Sequence, residues 1–343
     1  MKKVSYKFDL KQAIDEFRKD FPEGRENIVF IDLSAMNFWN RRKLIDYATK
    51  EALKTTGKSK KARKEFNKTV KRGIRGKKAA PKCFSYDRFD ADQAAIVVPL
   101  NPATPTYKVE TFFGMFDLIV HSACTQPTET LCDQIHHFIF DHEVAHALGA
   151  QFDRNGDLST QHLDESIADA YAALRHVQRY GENTGIIDMV RDCRITGALM
   201  GDLEHYSSPA LDAAASWLCE NDVTQMPPAA LMVAATEISQ NVCTSLNIHA
   251  LVEEAKIEGL SIVDFINNFD LINLCIEDTG KKTQHKEVFD LCQNWFKAIK
   301  AYGLTDKNKC LEEKSRPWIL SASKEAPGHK NAPRQPRQKA LSL

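Results

Sequence analysis

The sequence predicts an α+β protein. Three observations point that way. Short runs rich in β-branched and aromatic residues are confined to the part before residue 125. Apolar residues then recur with helical spacing from about residue 128 to about residue 303. One of those helical segments carries two histidines four positions apart, His142 and His146. The expected architecture is a small mixed sheet packed on the histidine-bearing helix, followed by a mostly α-helical C-terminal part.

The elements follow in chain order. Residues 10–20 read as a short amphipathic helix, and 27–33 as a strand. Further strand candidates are 94–98, 107–112 and 116–120. Helices are expected over 129–149, 164–180, 184–199, 208–220, 228–238, 246–257 and 285–302. This divides the chain into an N-terminal α/β part, 1–125, a mostly helical part, 126–320, and a disordered basic tail, 321–343, whose single acid is Glu325.

At 343 residues and 43% hydrophobic content the chain is long and apolar enough to bury a sizeable core. Lys plus Arg and Asp plus Glu number 46 each, so the overall charge names no polyanionic partner. The distribution is uneven. Basic residues crowd 41–82, opposed only by Asp46, Glu51 and Glu65. That insertion is a candidate contact for an anionic partner, against the plainer reading of a solvated helical face. Its two aromatics, Tyr47 and Phe66, are too few for a base-stacking platform. The nine cysteines are odd in number and never two residues apart, which argues against a cysteine zinc site or a disulfide framework. The basic start, Met1 to Asp9, has no apolar run behind it. The expectation is a cytoplasmic chain without a membrane span, with signal-independent export left open. Oligomeric state is not legible.

The chemistry concentrates in His142-Glu143-Val144-Ala145-His146. Residues i and i+4 sit one turn apart on one helix face, so both imidazoles reach a single ion. Glu143 is placed beside them to take a proton from a metal-bound water. Leu131, Ile135, Phe138, His142, Ala145 and Gly149 follow a 3-4 spacing that turns this face inward, with Gly149 placed to end the helix. His136 and His137 fall on other faces. A catalytic zinc needs a third protein ligand. Glu165 is the candidate, with His162, Asp153 and Asp164 as alternatives nearby in sequence. Asp169, one turn beyond Glu165, can hydrogen-bond the far ring nitrogen of a histidine ligand.

The pair HExxH and Glu165-Ser166-Ile167-Ala168-Asp169 resembles the gluzincin branch of the zincin metallopeptidases. The resemblance covers only 142–169. It implies Zn2+ held by His142, His146 and Glu165, Glu143 as general base, Asp169 behind a ligand, and a peptide or protein substrate paired to an edge strand, for which 94–98 or 107–112 are candidates. It also implies a downstream donor for the oxyanion, for which His205, Tyr206 and Tyr171 are candidates. The metzincin pattern fails, because its third ligand would fall on Phe152. Two other functions stay open: a zinc hydrolase of a non-peptide amide, and an anionic-polymer-binding protein with a structural zincin-like core. A calcium loop at 153–159 is disfavoured, since its glycine stands at the fourth place instead of the sixth.

Overall fold

The structure is a computed structural model that describes residues 7–22, 28–32, 43, 46, 50, 81–87, 93–104, 109, 128–149, 157–254 and 269–301. Helix α1 (Leu10–Asp20) leads into strands β1 (Ile28–Phe30), β2 (Lys82–Asp87) and β3 (Gln93–Val98). Helices α2 (Thr128–Leu148), α3 (Leu158–Tyr180), α4 (Ile186–Leu199), α5 (Ser208–Glu220), α6 (Pro228–Ser245), α7 (Ile248–Glu254), α8 (Phe269–Lys282) and α9 (Lys286–Ala301) follow. The fold class is α+β, mostly helical with a small mixed sheet. Among the described residues no helix is long and apolar enough to cross a membrane.

The sheet has strand order β1-β3-β2. β1 runs parallel to β3, with Val29 opposite Ile96, and β2 runs antiparallel to it, with Cys83 opposite Val97. Residues 95–98 are all buried, as befits a central strand covered on both faces. This corrects one expectation: β3 is paired on both sides, so 94–98 is not the edge that could receive a substrate. Of the 107–112 strand, only Val109 is described, and its backbone is helical. The 116–120 strand, the tail 321–343 and most of the basic insertion 41–82 lie outside the described residues.

α2 packs against β2, β3 and α3. It is not the amphipathic helix that the 3-4 spacing suggested. Residues 134–147 are buried without a break, so its polar side chains need partners inside the protein. Asp141 accepts from Arg179 Nη1 at 2.6 Å, pinning α2 to α3. Burial works against the ionised Asp141, but Arg179 and Arg175 outweigh it and hold its pKa low. His136 stacks on Phe8, ring centroids 4.9 Å apart, and His137 meets the same ring edge-on at 5.0 Å. α2 stops just before Gly149, as expected.

Other boundaries differ for local reasons. α3 begins six residues before the expected 164, because Asp157 caps it by accepting from the Thr160 backbone N–H at 2.9 Å. Its far end is closed by Gly181 at φ 80°, a left-handed cap that glycine takes without steric cost. α6 runs to Ser245, past the expected 238, since Ile238 and Ser239 still pack inward. Strand β2 was not anticipated. Its sequence, KCFSYD, has no β-branched residue and sits at the end of the basic run. α8 was also missed, although Phe269, Ile272 and Ile276 bury at helical spacing.

Among the described residues, three clusters form the interior. One joins α1, the sheet, α2, α3 and α6. A second packs the first half of α2 against α3 and α4. The third gathers the end of α4 with α7, α8 and α9 around Trp295.

Burial makes His136, His137 and His176 poor bases, with pKa values lowered to about 4, about 3 and about 3. Their unfolded value is near 6.5, so the unfolded chain takes up protons first as pH falls. Stability should therefore drop between pH 6.5 and 5, by about 2 kcal/mol for each such histidine. Urea unfolding at pH 7 and pH 5 checks this, and equal midpoints would contradict it.

Candidate metal centre

α2 and α3 cross so that His142 and His146 face Glu165. Their ligand-type atoms form a compact cluster. His142 Nε2 lies 3.1 Å from His146 Nε2. Glu165 Oε2 lies 3.4 Å from His142 Nε2, and Glu165 Oε1 lies 3.4 Å from His146 Nε2. In a tetrahedral shell with bonds of about 2.0–2.1 Å, neighbouring ligand atoms are separated by about 3.3–3.4 Å. The two imidazole–carboxylate distances match that spacing, one to each Glu165 oxygen, and the two imidazoles are slightly closer. Glu165 Oε2 is also buried without a hydrogen-bond partner, an orphaned acceptor that a cation would satisfy. The donor set of two imidazoles and a carboxylate suits zinc.

Behind the cluster, His142 Nδ1 donates to Asp169 Oδ1 at 2.7 Å. In the neutral ring that bond places the proton on Nδ1 and turns the Nε2 lone pair toward Glu165 and His146. Asp169 is completely buried. It accepts from Arg194 through both oxygens, Nε to Oδ2 at 2.7 Å and Nη2 to Oδ1 at 3.1 Å, and from the Ser207 hydroxyl.

The electrostatics favour positive charge at this point. Burial opposes ionisation of Glu165, but His146 and His142 overcome it and hold its carboxyl well below the usual range. Burial likewise opposes Asp169, and Arg194 with His142 outweighs it. His142 is penalised by burial too, yet Asp169 and Glu165 lift its pKa to about 10. A cation shared by all three groups meets the same demand as that proton.

Glu143 and His205 line the same cleft, which encloses about 360 Å³. His205 Nε2 is 3.4 Å from Glu165 Oε1, and its Nδ1 bonds Asp202 Oδ1 at 2.6 Å. Burial lowers the pKa of His205, but the bond to Asp202 and the charge of Glu165 raise it more. The opposite wall is the start of β2, Pro81 to Cys83.

Tyr206 is not brought to this cleft. It is 1% exposed, packed in the α4–α9 core, and burial pushes its phenol pKa upward. Tyr171 is buried in the sheet-side core, and it too stays out. His162 is turned away from the ligand cluster: its Nε2 donates to the Tyr206 carbonyl at 2.7 Å, and its Nδ1 faces the Cys243 thiol. Asp164 lines the cleft outside the ligand cluster. Asp153 lies outside the described residues. Arg194, Asp202, Ser207 and β2 are the parts that sequence reasoning missed. Ser207 lies just past the candidates His205 and Tyr206 but carried no signal of its own.

Compared with known proteins, the chain matches no family model, no curated protein and no solved structure. The reading of the site therefore rests on its own geometry.

Zinc added to the metal-stripped protein should raise its stability by about 2.7 kcal/mol when free zinc is a hundred times its dissociation constant. His146→Ala removes one member of the cluster and should abolish the shift in a thermal melt. An equal shift in both proteins would contradict this assignment.

Proposed function

We propose that the protein is a zinc-dependent metallopeptidase of the gluzincin type, with His142, His146 and Glu165 as the metal ligands. The observation that carries this reading is the cluster in which the two imidazole Nε2 atoms lie 3.1 Å apart and each lies 3.4 Å from one Glu165 oxygen, opening on a cleft that Glu143 also lines. A site built only to hold a structural metal has no use for a carboxylate base at its mouth.

When bound, zinc polarises the scissile carbonyl and lowers the pKa of its water. The remaining work falls to side chains. Glu143 takes the proton of the attacking water and passes it to the leaving amine. His205, oriented by Asp202, donates from Nε2 to the oxygen on which negative charge develops. Asp169 fixes the His142 ring in the tautomer that presents Nε2.

The sheet supports a peptide substrate. β2 is antiparallel to β3, is paired among the described residues on that side alone, and begins in the cleft wall. An extended peptide can add to its outer edge by backbone hydrogen bonds, with the scissile bond held beside the ligand cluster. This arrangement, a mixed sheet with an antiparallel edge strand beside the HExxH helix, is the zincin-like packing that we assign. The cysteines that the structure describes are free thiols, which fits a cytoplasmic setting.

Glu143→Gln should keep its zinc while losing about a hundred- to ten-thousand-fold in hydrolysis of a mixed peptide library, the usual share of a general base. Metal content by elemental analysis and cleavage by mass spectrometry provide the check. Cleavage at the wild-type rate would sink the proposal, as would a wild type that cleaves no peptide when loaded with zinc.

A further inference from the structure

We propose that Arg194 and Ser207 are positioning residues of the metal centre, acting on His142 through Asp169. The inference rests on the zinc reading of the site and adds two residues that lie outside both motif segments. Arg194 comes from α4 and Ser207 from the N-terminus of α5, so neither belongs to the helices that carry the ligands.

The geometry is specific. A carboxylate on a helix can rotate about two side-chain bonds, and a single hydrogen bond to His142 would leave that rotation weakly defined. Here both oxygens are held. Arg194 engages Oδ2 at 2.7 Å and Oδ1 at 3.1 Å with its planar fork. Ser207 adds a bond to Oδ2. The oxygen left facing α2 is Oδ1, which receives His142 Nδ1–H at 2.7 Å. The plane of the Asp169 carboxylate therefore sets the plane of the imidazole, and with it the direction of the Nε2 lone pair.

Ser207 departs from its ordinary role to do this. It occupies the N-cap of α5, where a serine hydroxyl usually accepts from a backbone N–H of the first turn. No such side-chain bond is made here. The hydroxyl donates to Asp169 instead, 38 positions away in sequence. The two residues before it, His205 and Tyr206, make parallel contacts. The Tyr206 carbonyl accepts from His162, and His205 approaches Glu165. Positions 162, 165 and 169 lie on one face of α3, so the consecutive residues His205, Tyr206 and Ser207 grip the face that carries the third ligand.

Zinc affinity of the full chain, measured by competition with a chromophoric chelator, tests the proposal in wild type, Arg194→Lys and Ser207→Ala. A second readout is the His142 Nδ1–H proton resonance, assigned by its loss in His142→Gln. Each variant should bind zinc about ten- to a hundred-fold more weakly. Each should also shift or broaden the Nδ1–H resonance, because the fork or the hydroxyl no longer holds the carboxylate. Ser207→Ala removes one oxygen and no charge, so it keeps the test decisive even if Arg194→Lys fails to fold. Wild-type affinity in Ser207→Ala overturns the proposal. Weaker binding with an unmoved Nδ1–H resonance overturns it too, since the effect would then bypass Asp169. A wild type that binds no zinc fails at an earlier step and refutes the metallopeptidase reading itself.

Discussion

The carboxylate of Asp169 is the point on which the described structure converges. It is fully buried, and it gathers a histidine from α2, an arginine from α4 and a serine from the start of α5 onto one residue of α3. A buried carboxylate without such donors would cost several kcal/mol. The same desolvation makes each hydrogen bond stronger and more directional once the set is complete. The result is a rigid joint between four elements, and the ligand cluster stands directly in front of it.

α2 poses the same problem along its length. It is buried between the sheet and α3, yet it carries Gln134, His136, His137, Asp141, His142, Glu143 and His146 in its covered stretch. The polar groups are answered in different ways. Asp141 is matched by Arg179, and His136 and His137 are kept neutral against Phe8. His142 and His146 face Glu165, whose Oε2, 3.4 Å from His142 Nε2, has no hydrogen-bond partner. That open acceptor, set against the imidazoles of α2, is the feature on which the proposed zinc site rests.

Much of the site was legible because its parts obey short-range rules. The i, i+4 histidines and the Glu165–Asp169 turn are helix geometry, readable from spacing alone. The structure places all four residues as that spacing implied, with Glu143 beside them. Long-range parts were not legible. Arg194 is one arginine among many until α4 packs on α3, and Tyr206 reads as a site residue until its phenol is seen in the core. The fold behaved likewise. α1, α5 and α9 matched within a residue or so, since apolar periodicity defines them locally. β2 was hidden because a strand of KCFSYD owes its existence to the ladder with β3, and nothing local announces a partner ten residues on. The early start of α3 was readable in principle from Asp157 and Thr160, the pair that forms its cap.

The central claim is that two imidazoles and a carboxylate hold zinc. X-ray absorption of the zinc-loaded protein reads that shell directly. The account predicts nitrogen and oxygen neighbours at about 2.0–2.1 Å with imidazole outer-shell scattering and no sulfur. Cys83 lines the same cleft, so sulfur is a concrete alternative. A zinc–sulfur distance of about 2.3 Å would contradict the assignment and move the metal off Glu165.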